Sequence, residues 1–243
     1  MKRLFEAWYL IVAGRFWLRY SVDSGEHALW LISFEGERHA RRERVAPHDV
    51  VIEERRWLSP WWDLTLEPTA AGFDHVTRLT RRVAKTHVHA SQPAVLVSGR
   101  IGEHTLDGAL GHGAHLEGTR RPDRFGWAHV ALPGGRYVEV LAAEVPHLPR
   151  VALWATERRR CNSPLSLLRT RSELSPTRLT VGPFVAEADA ADMIGVTYHD
   201  PDGTPLYCYH SERARLRGED VSVDEAAFEY ASREPVPGWP ISL

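Results

Sequence analysis

Apolar and polar residues alternate with a period of two along much of the chain, the signature of strands that bury one face. Phe16, Leu18, Tyr20 and Val22 share one face of the first such segment, and Trp17, Arg19 and Ser21 share the other. Residues 28–34 follow after Asp23-Ser24-Gly25-Glu26, so the two segments read as a hairpin. Further strands are expected over residues 61–67, ended by Pro68, and over 93–101. Residues 193–200 and 206–211 form a second hairpin about Pro201-Asp202-Gly203, where proline presets φ and glycine permits a positive φ. Near the end, Ser222-Val223-Asp224-Glu225 offers a helix capping box. The alternation of Ala226, Phe228 and Tyr230 against Ala227, Glu229 and Ala231 favours a strand instead. Residues 235–243 hold three prolines and Gly238 and read as an extended tail.

Many short strands with turns between them, and little helix, predict an all-β antiparallel protein, a barrel or a sandwich. No repeat of 20–50 residues is visible by eye. A chain of 243 residues has room for one large β-domain or two small barrels. Gly99, Gly102 and Gly108 punctuate the middle, so two β-units are expected, 1–104 and 105–234, followed by the tail 235–243.

Charge removes one class of partner. Thirty Lys and Arg against 32 Asp and Glu give a net charge of −2, without the basic excess that nucleic acid requires. The local basic run at residues 38–44 reads as a solvated turn or strand edge, with an anionic ligand or partner as the alternative. Cys161 and Cys208 stand apart, outside any C-x-x-C motif, and read as reduced thiols of a cytoplasmic protein. Residues 1–15 have a faint leader-like character, but Glu6, Gly14 and Arg15 confine the apolar run to seven residues from Ala7, and the leader reading is rejected. No apolar run approaches the roughly 20 residues of a membrane span. Phosphate-binding, dinucleotide and nucleophile-elbow motifs are absent.

The chemistry is sought between Leu106 and Glu139. Gly113, His115 and Glu117 fall on one face of a strand, Trp127, His129 and Ala131 on one face of the next, with the polar loop 119–124 between them. A hairpin centred on Pro122 sets His115 opposite His129 and Glu117 opposite Trp127, lining a cavity; a one-residue slip reverses the faces. A desolvated Glu117 is then a candidate acid, His115 and His129 candidate proton carriers, and Trp127 an apolar wall whose π-face stabilises a cation. The alternative for the same residues is ordinary packing. His112 and His115, three apart on a strand, point to opposite faces, so with His129 they make a poor metal site. No metal or cofactor is expected.

Three stretches carry a resemblance to a known family. Ala7-Trp8-Tyr9 with Phe16-Trp17-Leu18-Arg19-Tyr20 resembles the W-Y…F-W-x-R-Y start of proteins related to hydroxyneurosporene synthase (carotenoid hydratase) and tocopherol cyclase. Residues 111–118, G-H-G-A-H-L-E-G, with Trp127-Ala128-His129 resemble their G-H-x-x-H-x-x-G…W-x-H stretch, and Tyr207-Cys208-Tyr209-His210-Ser211-Glu212 their late strand. The resemblance implies two packed lipocalin-like (calycin) barrels. It also implies Arg19 and Tyr207 as ligand contacts beside Trp127. The function expected is a cofactor-independent cyclase, hydratase or isomerase that donates a proton to an apolar, terpenoid or polyketide-like molecule; the competing expectation is a carrier or sensor of a small hydrophobic ligand without chemistry.

Overall fold

The computed structural model describes residues 5–23, 25–75, 86–145 and 150–243, save the side chain of Pro164. Residues 1–4 of the rejected leader and Ser24 of the first expected turn lie outside these. The described residues form two antiparallel sheets. The first holds β1 (Phe5–Val12), β2 (Phe16–Asp23), β3 (Glu26–Ser33), β4 (His39–Arg44), β5 (Val51–Glu53), β6 (Arg56–Leu58), β7 (Trp62–Pro68), β8 (Phe73–Asp74), β9 (Thr86–Ile101) and β10 (His104–Gly118). The second holds β11 (Arg124–Leu132), β12 (Arg136–Glu144), β13 (Val151–Thr156), β14 (Arg160–Cys161), β15 (Ser172–Ser175), β16 (Arg178–Val181), β17 (Phe184–Glu187), β18 (Ile194–His199), β19 (Pro205–Gly218) and β20 (Val221–Ser232). Among the described residues one short α-helix, α1 (Pro164–Arg169), sits between β14 and β15. No helix among the described residues is long and apolar enough to cross a membrane.

The two sheets share one topology. The first runs β4-β3-β2-β1-β10-β9-β7-β6-β5, with β8 beside β9; adding ten to every number gives the second. Each sheet is thus closed in the middle by its own first and last strands, β1 on β10 and β11 on β20. This is a repeat of topology over more than a hundred residues, longer than the 20–50-residue period sought in the sequence.

Each sheet curls around a core of its own. Leu10, Leu18, Leu64 and Val97 fill the first, and Val140, Leu179, Phe184 and Phe228 the second. A third cluster joins them, with Ile11, Trp17 and Trp30 from one sheet against Trp127, Val196 and Cys208 from the other. Both faces of β1 are therefore buried, which explains why residues 7–13 form an unbroken apolar run rather than an alternating one.

The expected strands and the Pro201-Asp202-Gly203 turn are present, Gly203 having φ 89°, and residues 222–231 extend β20 rather than forming a helix. Two expectations are corrected. The glycines near 100 do not divide the chain: Gly102 sits in the β9–β10 turn at φ 54°, and β10 belongs to the first sheet, so the crossing to the second falls at residues 119–123. Nor do β10 and β11 form a hairpin about Pro122. Both hydrogen-bonding edges of β10 are taken by β1 and β9, and both edges of β11 by β12 and β20. The polar loop is instead a pinned crossing. The Arg121 guanidinium is buried and meets Asp200 of the second sheet at 3.0 Å and Asp23 of the first at 3.3 Å.

Gly99 shows how tightly the first sheet is drawn. Its φ is 126°, and a Cβ there would lie 2.2 Å from the Asp63 carbonyl oxygen on β7. Gly99→Ala is expected to destabilise the protein by more than about 1 kcal/mol in urea unfolding, since both the conformation and the space exclude a side chain.

Candidate functional site

The facing surfaces of the two sheets carry rows of cross-strand neighbours. On the first, Ala114, Tyr9, Arg19 and Trp30 lie side by side across β10, β1, β2 and β3. On the second, Trp127, Glu229 and His210 lie side by side across β11, β20 and β19. Where the surfaces do not fully meet they leave an apolar cavity of about 90 Å³, walled by Trp17, Leu116, Phe125, Trp127 and Leu141. Tyr9, His75, Thr86 and Glu229 bring polar atoms to it.

Glu229 is the unusual member. Burial raises its carboxyl to about 7, against the opposing pull of the Cys208 thiol and the Arg19 and Arg121 guanidinium groups. Its Oε1 lies 3.9 Å from Nε2 of His210, whose ring meets the edge of Trp17 at 4.4 Å. Burial, with Arg19 nearby, lowers His210 to about 3, so this imidazole is neutral. Burial also raises the Tyr9 phenol to about 12, so Tyr9 presents an O–H group and not a phenolate. Arg19 is 2% exposed and sits in an aromatic box, its guanidinium carbon 3.8 Å from the ring centre of Tyr198, 5.2 Å from Tyr9 and 5.5 Å from Trp30.

A second group of polar residues backs the cavity wall. Glu139 is wholly buried; its Oε1 lies 2.6 Å from His75 Nε2 and accepts a 2.8 Å hydrogen bond from the Trp127 indole. Burial opposes the charge on Glu139, but the adjoining His75 prevails and holds the carboxyl well below its ordinary range. Behind Trp127, the rings of His112 and His129 lie 3.9 Å apart. Burial lowers His112 to about 4 and, with His112 beside it, drives His129 well down. His129 is thus neutral, and its Nε2–H donates to the Pro93 carbonyl at 2.9 Å.

The residues singled out in the sequence are therefore distributed over three places. Trp127 lines the cavity, and His129 lies behind it on the same sheet. His115 and Glu117 are on the concave face of the first sheet, where His115 stacks on Trp8 at 4.9 Å and meets Glu6 at 2.9 Å, and Glu117 approaches His87 at 3.6 Å. Arg19 adjoins Glu229 but does not line the cavity, and Tyr207 packs against the core of the second sheet. The partner that faces His129 is His112. Glu229, Tyr9 and His75 were not anticipated. For Glu229 a signal existed: it is the one charged residue on the Ala227-Glu229-Ala231 face.

No family model matches the sequence. An uncharacterised protein of Mycobacterium tuberculosis, in strains H37Rv and CDC 1551 / Oshkosh, is 28% identical over 198 residues, which span 72% of this chain and 59% of the mycobacterial protein. Among solved structures, a Nitrosomonas europaea protein provisionally named AttH superposes with a TM-score of 0.54 at 10% identity, over 95% of this chain and 92% of that one. The fold is lipocalin-like: two curled antiparallel sheets packed together.

The Glu139–His75 pair yields a clear expectation. Removing the imidazole that faces it leaves a buried carboxylate without its partner, a change that typically costs roughly 3–5 kcal/mol. His75→Ala is expected to lose stability on that scale in urea unfolding at neutral pH. Because the folded carboxyl is depressed, its stabilisation is present above the ordinary value of 4.5 and is lost as pH falls through the folded value. The variant has lost that support, so its stability deficit against the wild type should be largest at neutral pH and shrink as acid protonates Glu139.

Proposed function

We propose that the protein is a cofactor-independent enzyme that protonates an apolar unsaturated small molecule in the cavity between its sheets. The observation that carries this reading is Glu229: a carboxyl raised to about 7 and aimed into an apolar space. Such a group holds its proton at neutral pH and gives a carboxylate able to take one back, the property of a general acid–base catalyst. Proton transfer from Glu229 to an alkene carbon creates a carbocation. Trp17, Trp127 and Tyr9 line the cavity, and their π-systems stabilise it. Capture by water, with return of a water proton to the Glu229 carboxylate, makes the reaction a hydration; capture by a second double bond, with loss of a proton from the resulting cation to that carboxylate, a cyclisation; and direct loss of a neighbouring proton to it an isomerisation. The resemblance to carotenoid hydratases and tocopherol cyclases supports the same class. In this reading the acid is Glu229, while Glu117 and His115 lie outside the cavity and Trp127 keeps the role of wall. The ligand is a small hydrophobic molecule, and the site of action is cytoplasmic.

The test begins with mass spectrometry of small molecules that copurify with the protein, followed by incubation of the identified class in deuterium oxide. The wild type is expected to form a deuterated product, and Glu229→Gln to lose at least about 100-fold in rate with its melting temperature preserved. The rate should fall as pH rises through about 7, where Glu229 loses its proton. A ligand that binds and is returned unchanged by both proteins would make the chain a carrier.

A further inference from the structure

The cavity beside Glu229 is walled mostly by carbon, and nearly every polar side chain that reaches it is already engaged or covered. The Thr86 hydroxyl donates to the Arg120 carbonyl, and the Trp127 indole N–H donates to Glu139 at 2.8 Å. His75 faces Glu139 at 2.6 Å, and the Glu229 carboxyl meets the Cys208 thiol. The Trp17 indole N–H makes no hydrogen bond, but protein atoms cover it.

Tyr9 is different. It sits on β1 between Ala114 of β10 and Arg19 of β2, on the face turned to the second sheet. It lines the cavity and keeps part of its surface accessible, while no hydrogen bond engages its hydroxyl among the described residues. Ala114 lines the cavity too and brings no polar side-chain atom to it. On the other side the Arg19 guanidinium carbon lies 5.2 Å from the Tyr9 ring centre, and its charge polarises the phenol and strengthens it as a donor. Burial nevertheless keeps the proton in place, so the group offers an O–H at any ordinary pH.

The entry of a ligand makes this hydroxyl decisive. Water in the cavity can accept its hydrogen bond. A hydrocarbon expels that water and leaves a buried donor without an acceptor, whereas a ligand with an oxygen takes the water's place. Sites built around such a donor discriminate strongly against analogues that lack the partner atom.

We propose that the ligand of this cavity is not a hydrocarbon but a neutral molecule whose apolar, unsaturated frame carries one acceptor oxygen, a carbonyl or an ether, to which the Tyr9 hydroxyl donates. The inference rests on the reading of this cavity as the ligand site. It makes Tyr9 the residue that sets specificity: the oxygen is held from β1 of the first sheet, and the proton comes from Glu229 on β20 of the second.

The probes are cyclohexanone and methylenecyclohexane, which share a shape and differ in the oxygen. Both are titrated into the full chain and into Tyr9→Phe, followed by tryptophan fluorescence and calorimetry. Water holds the ketone more tightly than the alkene, so the quantity read is what the substitution does to each ligand. Tyr9→Phe should weaken cyclohexanone at least about tenfold and leave methylenecyclohexane unchanged or tighter, with the melting temperature preserved. In infrared spectra the carbonyl stretch of cyclohexanone bound to the wild type should fall below its position in an alkane, and return towards it in Tyr9→Phe, a change that lost packing does not produce. The same pattern should hold on a Glu229→Gln background, since it needs no turnover; a protein that shows it and transforms nothing would end the enzymatic reading and leave this one standing. Equal losses for the two ligands in Tyr9→Phe, an unshifted carbonyl band in the wild type, or no binding of cyclohexanone would overturn the proposal.

Discussion

Two curled sheets pack face to face, and the faces they bury carry charge. This constraint governs the rest of the molecule. A sheet that buries only alkyl side chains closes dry and shut; here Arg19, Arg121, Glu139, Glu212 and Glu229 are all nearly removed from water. Each is accommodated differently. Arg121 is paired to carboxylates from both sheets, Glu139 is paired across the sheets to His75, and Arg19 is surrounded by aromatic faces. Glu212 is turned toward the neutral form by burial and accepts one backbone hydrogen bond from Gly14 of the opposite sheet. Many of the polar ties between the halves run through these groups, so the interface is held in register by directional bonds as well as by apolar contact.

Glu229, like Glu212, meets no full counter-charge, but of the two it is Glu229 that lines the apolar cavity. His210 is near but neutral, and Arg19 is shared among three rings. The same packing that pairs Arg121 and Glu139 leaves this carboxyl at the wall of the apolar cavity. The cavity exists because the aromatic walls of the two sheets do not interdigitate completely, and burial there raises the Glu229 carboxyl.

Much of the fold could be read from local alternation, since strand faces follow from period two alone. The segments about Phe16–Val22, the Gly203 turn and the choice of strand at 226–231 are of this kind. What local pattern does not encode is the partner of a strand. Residues 106–132 alternate equally well whether β10 and β11 pair with each other or with strands a hundred residues away, and the polar loop between them suits a hairpin tip or a crossing. The misplaced pairing put His115 opposite His129, whereas the opposing imidazole is His112, one face over. The candidate site was legible only in part for the same reason. Trp127 reaches the cavity through its own strand, but Tyr9, Trp17 and Glu229 converge from distant parts of the chain.

The pairing of first strand with last, β1 with β10 and β11 with β20, has a bearing on synthesis. Neither sheet completes its ladder until its final strand has left the ribosome, because the central seam is made from the two ends of each half. The first half can close once residue 118 is available, but it then presents Ile11, Trp17 and Trp30 to solvent until the second half arrives. Asp200, the anchor for Arg121, emerges some eighty residues later. The nascent chain thus passes through a stage with a finished sheet and an unfinished apolar face, a natural client for a holding chaperone and the stage at which an interrupted chain is most prone to aggregate.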